Sequence, residues 1–172
     1  MSRLSSLSPA ALKAMFSTES EDTLITLVTI YDPVTLLPSV RLADNYLTRI
    51  SETSDEVIYG VTSRSNNFIF IPMQISLPSE EDNTAPKCSL VISDVTRYIT
   101  PLIRNLSGPP RVLIELVLTS SPSTVEAFFA DFYISNISYN ADSVSAELTM
   151  IDYQVEPFPC FTFTPSYFPG IF

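Results

Sequence analysis

Alternating apolar and polar residues along most of the chain, turn-forming clusters between them, and only two short helical patterns predict a mainly β protein. The expected architecture is an antiparallel sandwich or small barrel carrying one or two short helices. The sequence has 172 residues, enough for one unit to bury a core without metal or disulfide staples. Hydrophobic residues make up 45% and charged residues 16%, which is too apolar for a disordered chain and low in charge for a fully solvated surface, so partners are expected to cover part of it.

Ser8-Pro9 ahead of Ala10–Phe16 places a capping hydroxyl before a proline at the first helical position and predicts a short N-terminal helix. Leu24–Tyr31, rich in Leu, Ile, Val and Thr and stopped by Asp32-Pro33, predicts the first strand. Further strands are expected at Val40–Leu42 and Val57–Thr62, separated by an acidic loop, Ser51–Glu56. Phe68–Leu77 reads as one strand with Ile69, Ile71, Met73, Ile75 and Leu77 on a common face, and Pro72 marks it as an edge or a bulge.

Pro78–Pro86 reads as a loop, and Lys87–Ser93 resumes alternation through Cys88, Leu90 and Ile92. Val95, Tyr98, Ile99, Leu102, Ile103 and Leu106 lie at helical spacing behind Asp94, with Pro101 positioned to kink or divide the helix. Arg111–Thr119, Thr124–Tyr139 and Ser143–Tyr153 alternate again, and the short link Asn140-Ala141-Asp142 implies a hairpin. The expectation is about seven or eight strands. Connections this short favour antiparallel neighbours over a parallel α/β fold.

Composition changes at Glu156, dividing a β-rich domain, 1–155, from a C-terminal arm, 156–172. Beyond Glu156 the chain carries no charge, six aromatics and four prolines. The prolines favour an extended path, and 16 residues reach about 50 Å when extended. Phe158, Phe161, Phe163, Tyr167, Phe168 and Phe172 would form an aggregation-prone patch in water, so they are expected to be a covered interface. Either the arm wraps its own domain or it docks on another subunit. Large aromatics with few rotatable bonds are good anchors and favour the second.

Ionic chemistry narrows the function classes. A net charge of −10, from 19 acidic and 9 basic residues, argues against binding to nucleic-acid backbone or anionic membrane. The longest apolar runs fall far short of a spanning helix, and Met1–Ser8 lacks a secretory pattern, so a soluble protein made without a leader is expected. With no His, the Ser-His-Asp and Cys-His arrangements and the His-containing zinc motifs are absent. Three glycines exclude a Gly-rich phosphate loop. Cys88 and Cys160 read as small buried residues. The carboxylate clusters Glu52/Asp55/Glu56 and Glu80/Glu81/Asp82 read as solvated loops, and no calcium-loop spacing accompanies them. No catalytic residue, metal site or cofactor is expected.

Several stretches occur together in a familiar order: Ile92-Ser93-Asp94-Val95, Gly108-Pro109-Pro110 before Val112–Leu118, Pro122-Ser123-Thr124-Val125-Glu126, and the ending Glu156-Pro157-Phe158-Pro159 with Phe163-Thr164-Pro165 and Phe168–Phe172. In these, Leu90–Phe172 resembles a widespread family of tailed-bacteriophage minor tail or baseplate hub (tail-tip) proteins, many known only as a domain of unknown function. Leu24–Tyr31 and Phe70–Pro78 match more loosely, while Pro101 and Cys160-Phe161 depart from the pattern. The resemblance implies a tail-tube-like sandwich or barrel flanked by a helix and assembled into a ring.

The function it implies is a non-enzymatic virion component connecting the tail tube to the distal tip. Its partners would be copies of itself in a three- or six-fold ring, together with tube, hub and central fibre or spike proteins. Phage DNA would pass only transiently through a lumen lined by some of the acidic residues. No membrane binding is implied, and assembly would take place in the host cytoplasm. Two other readings compete: a β-sandwich module binding host-surface carbohydrate, and a carboxylate-dependent hydrolase.

Overall fold

The structure, a computed structural model, describes residues 7–32, 34, 38–53, 56–77, 87–93, 101, 108–140, 142–150, 166 and 170, with backbone alone at 38 and 131. One helix, α1 (Pro9–Phe16), precedes the strands β1 (Leu24–Tyr31), β2 (Pro38–Ala43), β3 (Thr48–Glu52), β4 (Val57–Ser63) and β5 (Asn66–Phe70). There follow β6 (Met73–Ser76), β7 (Lys87–Ser93), β8 (Arg111–Leu118), β9 (Val125–Tyr139) and β10 (Ser143–Thr149). The mainly β expectation holds, and the strands form one sheet in the order β3-β4-β5-β2-β1-β8-β9-β10-β7-β6. Neighbours pair antiparallel except β2 and β5, which run parallel through Leu42–Ile69 and Ala43–Phe70.

β6 stands at one end of that order and β5 near the other, yet only two residues separate them along the chain. β5 pairs with β2 and β4, β6 pairs with β7, and only Ile71 and Pro72 separate β5 from β6. The Ile71 N–H donates to the Ala43 carbonyl at 3.1 Å, and the Ser93 N–H donates to the Pro72 carbonyl at 2.9 Å. The sheet is therefore rolled, and β1, β2, the bent β5–β6 strand, β7, β10, β9 and β8 follow one another around a barrel.

The expected single strand Phe68–Leu77 is thus corrected to two, because Pro72 has no N–H for either ladder and sits where the strand changes partner. Its phase survives the bend. Ile69, Ile71, Met73 and Ile75 all face the main core, joining Val28, Ile30, Leu42, Leu90, Ile92, Ile114, Phe132 and Leu148.

Two kinds of wall result. β7 and β10 alternate strictly between buried and accessible residues, as strands with one solvated face should. β1 is buried over most of its length, because a second core lies on the outside of the barrel, formed by Ile25, Leu27, Ala43, Val61, Phe68 and Val117. The β4–β5 hairpin covers this outer face. Its two-residue turn, Arg64-Ser65, has φ of 48° and 66°, the left-handed pair that matches the twist of a tight hairpin.

Further differences concern boundaries. The expected strand Val40–Leu42 starts at Pro38, and Thr48–Glu52 forms β3 where no strand is expected, leaving the acidic loop as the tight turn after Glu52. There the Thr53 N–H and hydroxyl both donate to the Glu56 carbonyl, at 2.8 and 3.0 Å. The hairpin between β9 and β10 is as expected, closed by Asn140 N–H to Ser143 O at 2.8 Å. The loop 78–86, nearly all of the helix expected over 94–107, and residues 151–153 lie outside the described residues.

Gly60 stands at the crossing of β3, β4 and β5, where a Cβ would overlap the Phe68 carbonyl and the Ile50 side chain. Gly60→Ala is expected to destabilise the chain by about 2–3 kcal/mol, the upper range for overpacking, read as a lower urea midpoint. An unchanged midpoint would contradict the close approach of these strands.

Candidate protein interface

β4 has two roles along its length. Its second half lies over the outer core, whereas its first half pairs with β3 as a ribbon whose residues are mostly exposed. β3 pairs only with β4 among the described residues. At the base of the ribbon Tyr46 packs against Tyr59 (centroids 5.5 Å apart, planes at 56°) and against Phe70 (5.2 Å, 63°). Tyr46 is 53% and Tyr59 47% exposed, with Leu47 and Val57 also exposed nearby in sequence. Tilted rings at these distances reinforce one another and hold an apolar surface in place. On the β3 edge, Arg49 and Glu52 pair at 2.6 Å, a charged border of the kind that discourages indiscriminate strand addition.

The β4–β5 hairpin is anchored by a buried acid. Glu115, on the outer face of β8, is 6% exposed, and its Oε2 accepts from the Arg64 guanidinium at 2.6 Å. On a flat sheet the β4–β5 turn and β8 would lie three to four strand spacings apart, roughly 14–19 Å at ~4.8 Å each. A direct contact therefore requires the hairpin to fold back over the barrel. The Arg64 N–H also donates to Ser123 Oγ at 3.4 Å.

A second buried acid holds the helix. Val117 pairs with Val125 and Leu116 with Ala127, so Glu126 is the extra residue of a bulge, which re-aims its side chain. Glu126 is 3% exposed. Its Oε1 accepts from the Ser8 hydroxyl at 2.7 Å and its Oε2 from the Ser8 N–H at 2.8 Å. Ser8 Oγ in turn accepts from the Ala11 N–H at 3.1 Å, so cap, helix and barrel form one connected polar group. A carboxylate at a helix N-terminus also opposes the helix dipole favourably.

With α1 held there, a cleft of about 440 Å³ opens between it and the barrel mouth, lined mainly by Leu7, Ala11, Met15, Leu24, Leu116 and Leu118.

The arm residues Phe158, Phe161, Phe163, Tyr167, Phe168 and Phe172 lie outside the described residues, as do Cys160, Asp55, Glu80, Glu81 and Asp82. Glu52 is taken up by Arg49, and Glu56 is exposed in the hairpin turn. Among the described residues no group of three or more His, Cys, Asp or Glu could hold a metal, and no helix is long and apolar enough to cross a membrane. Cys88 is buried, as its alternation with Leu90 and Ile92 indicates. The Tyr46–Tyr59 surface escaped sequence reasoning. Its one local signal was the pair of apolar doublets Tyr46-Leu47 and Ile58-Tyr59 flanking the expected loop.

Arg64→Ala would leave Glu115 buried without its cation. Breaking a fully buried pair costs about 3–5 kcal/mol. The Arg64 side chain is 44% exposed, so solvent screening reduces the expected loss to about 1–2 kcal/mol, measurable by urea denaturation and largely restored by adding Glu115→Met.

Burial pushes the Cys88 thiol up from 9.0 to about 11. The unfolded thiol ionises first, so the stability this residue contributes is complete below about pH 9 and is lost as pH rises through about 11. Iodoacetamide at pH 8, followed by peptide mass, should label Cys88 about tenfold more slowly in the folded chain than in urea.

No curated protein and no solved structure matches the chain. One family model does, over residues 10–163, from α1 through every described strand and into the C-terminal arm. The chain belongs to the DUF1833 family, a domain of unknown function.

Proposed function

We propose that this protein is a structural subunit of a bacteriophage tail tip or baseplate hub. Copies of it form a ring that connects the tail tube to the distal tip and lets DNA pass. The observation that carries the reading is the β3–β4 ribbon. It is a largely exposed two-stranded element with an aromatic surface at its base, continuous through β4 with the hairpin that Glu115 and Arg64 hold to the barrel.

A bare two-stranded ribbon is marginal in water, and large exposed aromatics favour a protein partner. A contact between this ribbon and a different surface of the next copy is heterologous, and such contacts close into rings when the rotation allows. The order of motifs along Leu90–Phe172, which resembles tail-tip proteins, supplies the phage context. The charge of −10 suits a lumen that repels phosphate.

A second reading has a specific observation behind it. The exposed Tyr46 and Tyr59 rings could stack on sugar faces, making the protein a host-carbohydrate module. Their tilted packing presents ring edges as much as faces, which favours protein contact.

Tyr46→Ser with Tyr59→Ser is expected to weaken self-association of the purified chain at least tenfold, about the effect of one interface hot spot. Analytical ultracentrifugation would measure this, with far-UV circular dichroism unchanged. A particle reconstruction should place the chain in a ring at the tail tip. Unaltered association together with glycan-array binding lost in the double variant would replace this reading with the carbohydrate one.

A further inference from the structure

We infer that α1 is a removable cover on the barrel mouth, helical only while Ser8 is latched to Glu126, and that it opens while the barrel beneath stays folded.

Packing is the first support. Of the eight residues of α1 only Ala11 is buried, and Met15 and Phe16 are 56% and 78% exposed. Between helix and barrel lies the cleft of about 440 Å³, with Leu24, Leu116, Leu118 and Ala127 on the barrel side and Ala11 and Met15 on the helix side. The helix therefore stands over an apolar floor without filling the space above it, and little burial opposes its departure. Few buried apolar contacts mark an element that opens ahead of the rest of a fold. The barrel is of the opposite kind, since Val28, Ile114 and Leu148 in its core are fully buried.

Length is the second. An isolated helix of fewer than about 12 residues is marginal in water, so α1, with eight, is helical only while something holds it. Among the described residues, the hydrogen bonds that join it to the barrel are the two from Ser8 to Glu126, N–H to Oε2 at 2.8 Å and hydroxyl to Oε1 at 2.7 Å. The same hydroxyl oxygen accepts from the Ala11 N–H at 3.1 Å. One residue is thus both helix cap and latch, and an acid 118 positions away orients it for both tasks. Releasing the latch releases the cap, so undocking and loss of the helix are one event.

The third is the fate of the acid. Glu126 is 3% exposed with the helix in place, yet it lines the cleft. Withdrawal of α1 opens it to water, so the open form leaves no buried carboxylate without a partner.

Hydrogen–deuterium exchange on the full-length chain tests the coupling. The α1 amides include Leu12 N–H, bonded to Ser8 O at 3.0 Å, and Ser17 N–H, bonded to Lys13 O at 3.0 Å. They should be protected, but at least tenfold less than the paired amides of β1 and β8, and low urea should accelerate only the strand amides. Glu126→Ala should raise α1 exchange at least tenfold with β1 and β8 unchanged. Ser8→Asp keeps a good capping residue but sets a second carboxylate against Glu126, and should have the same effect. The inference is overturned if the native α1 amides exchange at unprotected rates, share the urea dependence of β1 and β8, or stay protected in either variant. Equal loosening of α1, β1 and β8 by Glu126→Ala would overturn it too.

With the cover open, Glu126→Ala should also bind an apolar dye such as anilinonaphthalene sulfonate several-fold more strongly. Unchanged binding would show that α1 does not shield the floor. Each measurement reads a single chain and is independent of the tail-tip reading.

Discussion

Closure of the barrel rests on the Ile71–Pro72 corner, where two backbone hydrogen bonds tie the end of β2 to the end of β7. Without it the sheet would be an open ribbon, with Val28 and Leu42 on one wall and Leu90 and Leu148 on another, unable to share a core. With it, these residues belong to one cluster. Proline suits the position because a strand leaving one ladder and entering another passes through a residue with no donor to place. The same bend frees β5 to turn its Asn66–Phe68 end outward, which starts the hairpin that covers β1.

Buried carboxylates then attach the outer pieces to this barrel. Glu115 holds the β4–β5 hairpin through Arg64, and Glu126 holds α1 through Ser8. Both acids lie at the β8–β9 pair, where a register shift between Leu116 and Val117 sets the direction of the neighbouring side chains. An uncompensated carboxylate in either place would be costly. The polar contacts therefore choose which surface each element covers, while the stabilisation itself comes from the apolar residues beneath.

What is left accessible has a consistent character. The β3–β4 ribbon presents Tyr46 and Tyr59 beside a charged edge, and the barrel mouth presents an apolar cleft. Charged residues make up only 16% of the chain, in keeping with this partly apolar surface. The two surfaces differ in kind. The cleft is lined mainly by apolar side chains of α1, β1 and β8, whereas the ribbon exposes tyrosines and a charged edge.

The strands β1, β7, β8, β9 and β10, the capped helix α1 and the burial of Cys88 were all legible in the sequence, because each depends on side-chain periodicity or on a capping residue within a few positions. The aromatic C-terminal arm, which composition marks as a covered interface, lies outside the described residues. Sequence did not disclose β3, whose Thr-Arg-Ile-Ser-Glu has too few apolar residues to show a period, or the Tyr46–Tyr59–Phe70 contact between residues on different elements. Nor did it show that Phe68–Leu77 divides between two neighbours, or that Glu115 and Glu126 are buried with partners 51 and 118 residues away. Period and capping are local and can be read in order along a chain. Strand order, closure and the pairing of distant charges follow from the roll of the sheet, which only the tertiary structure decides.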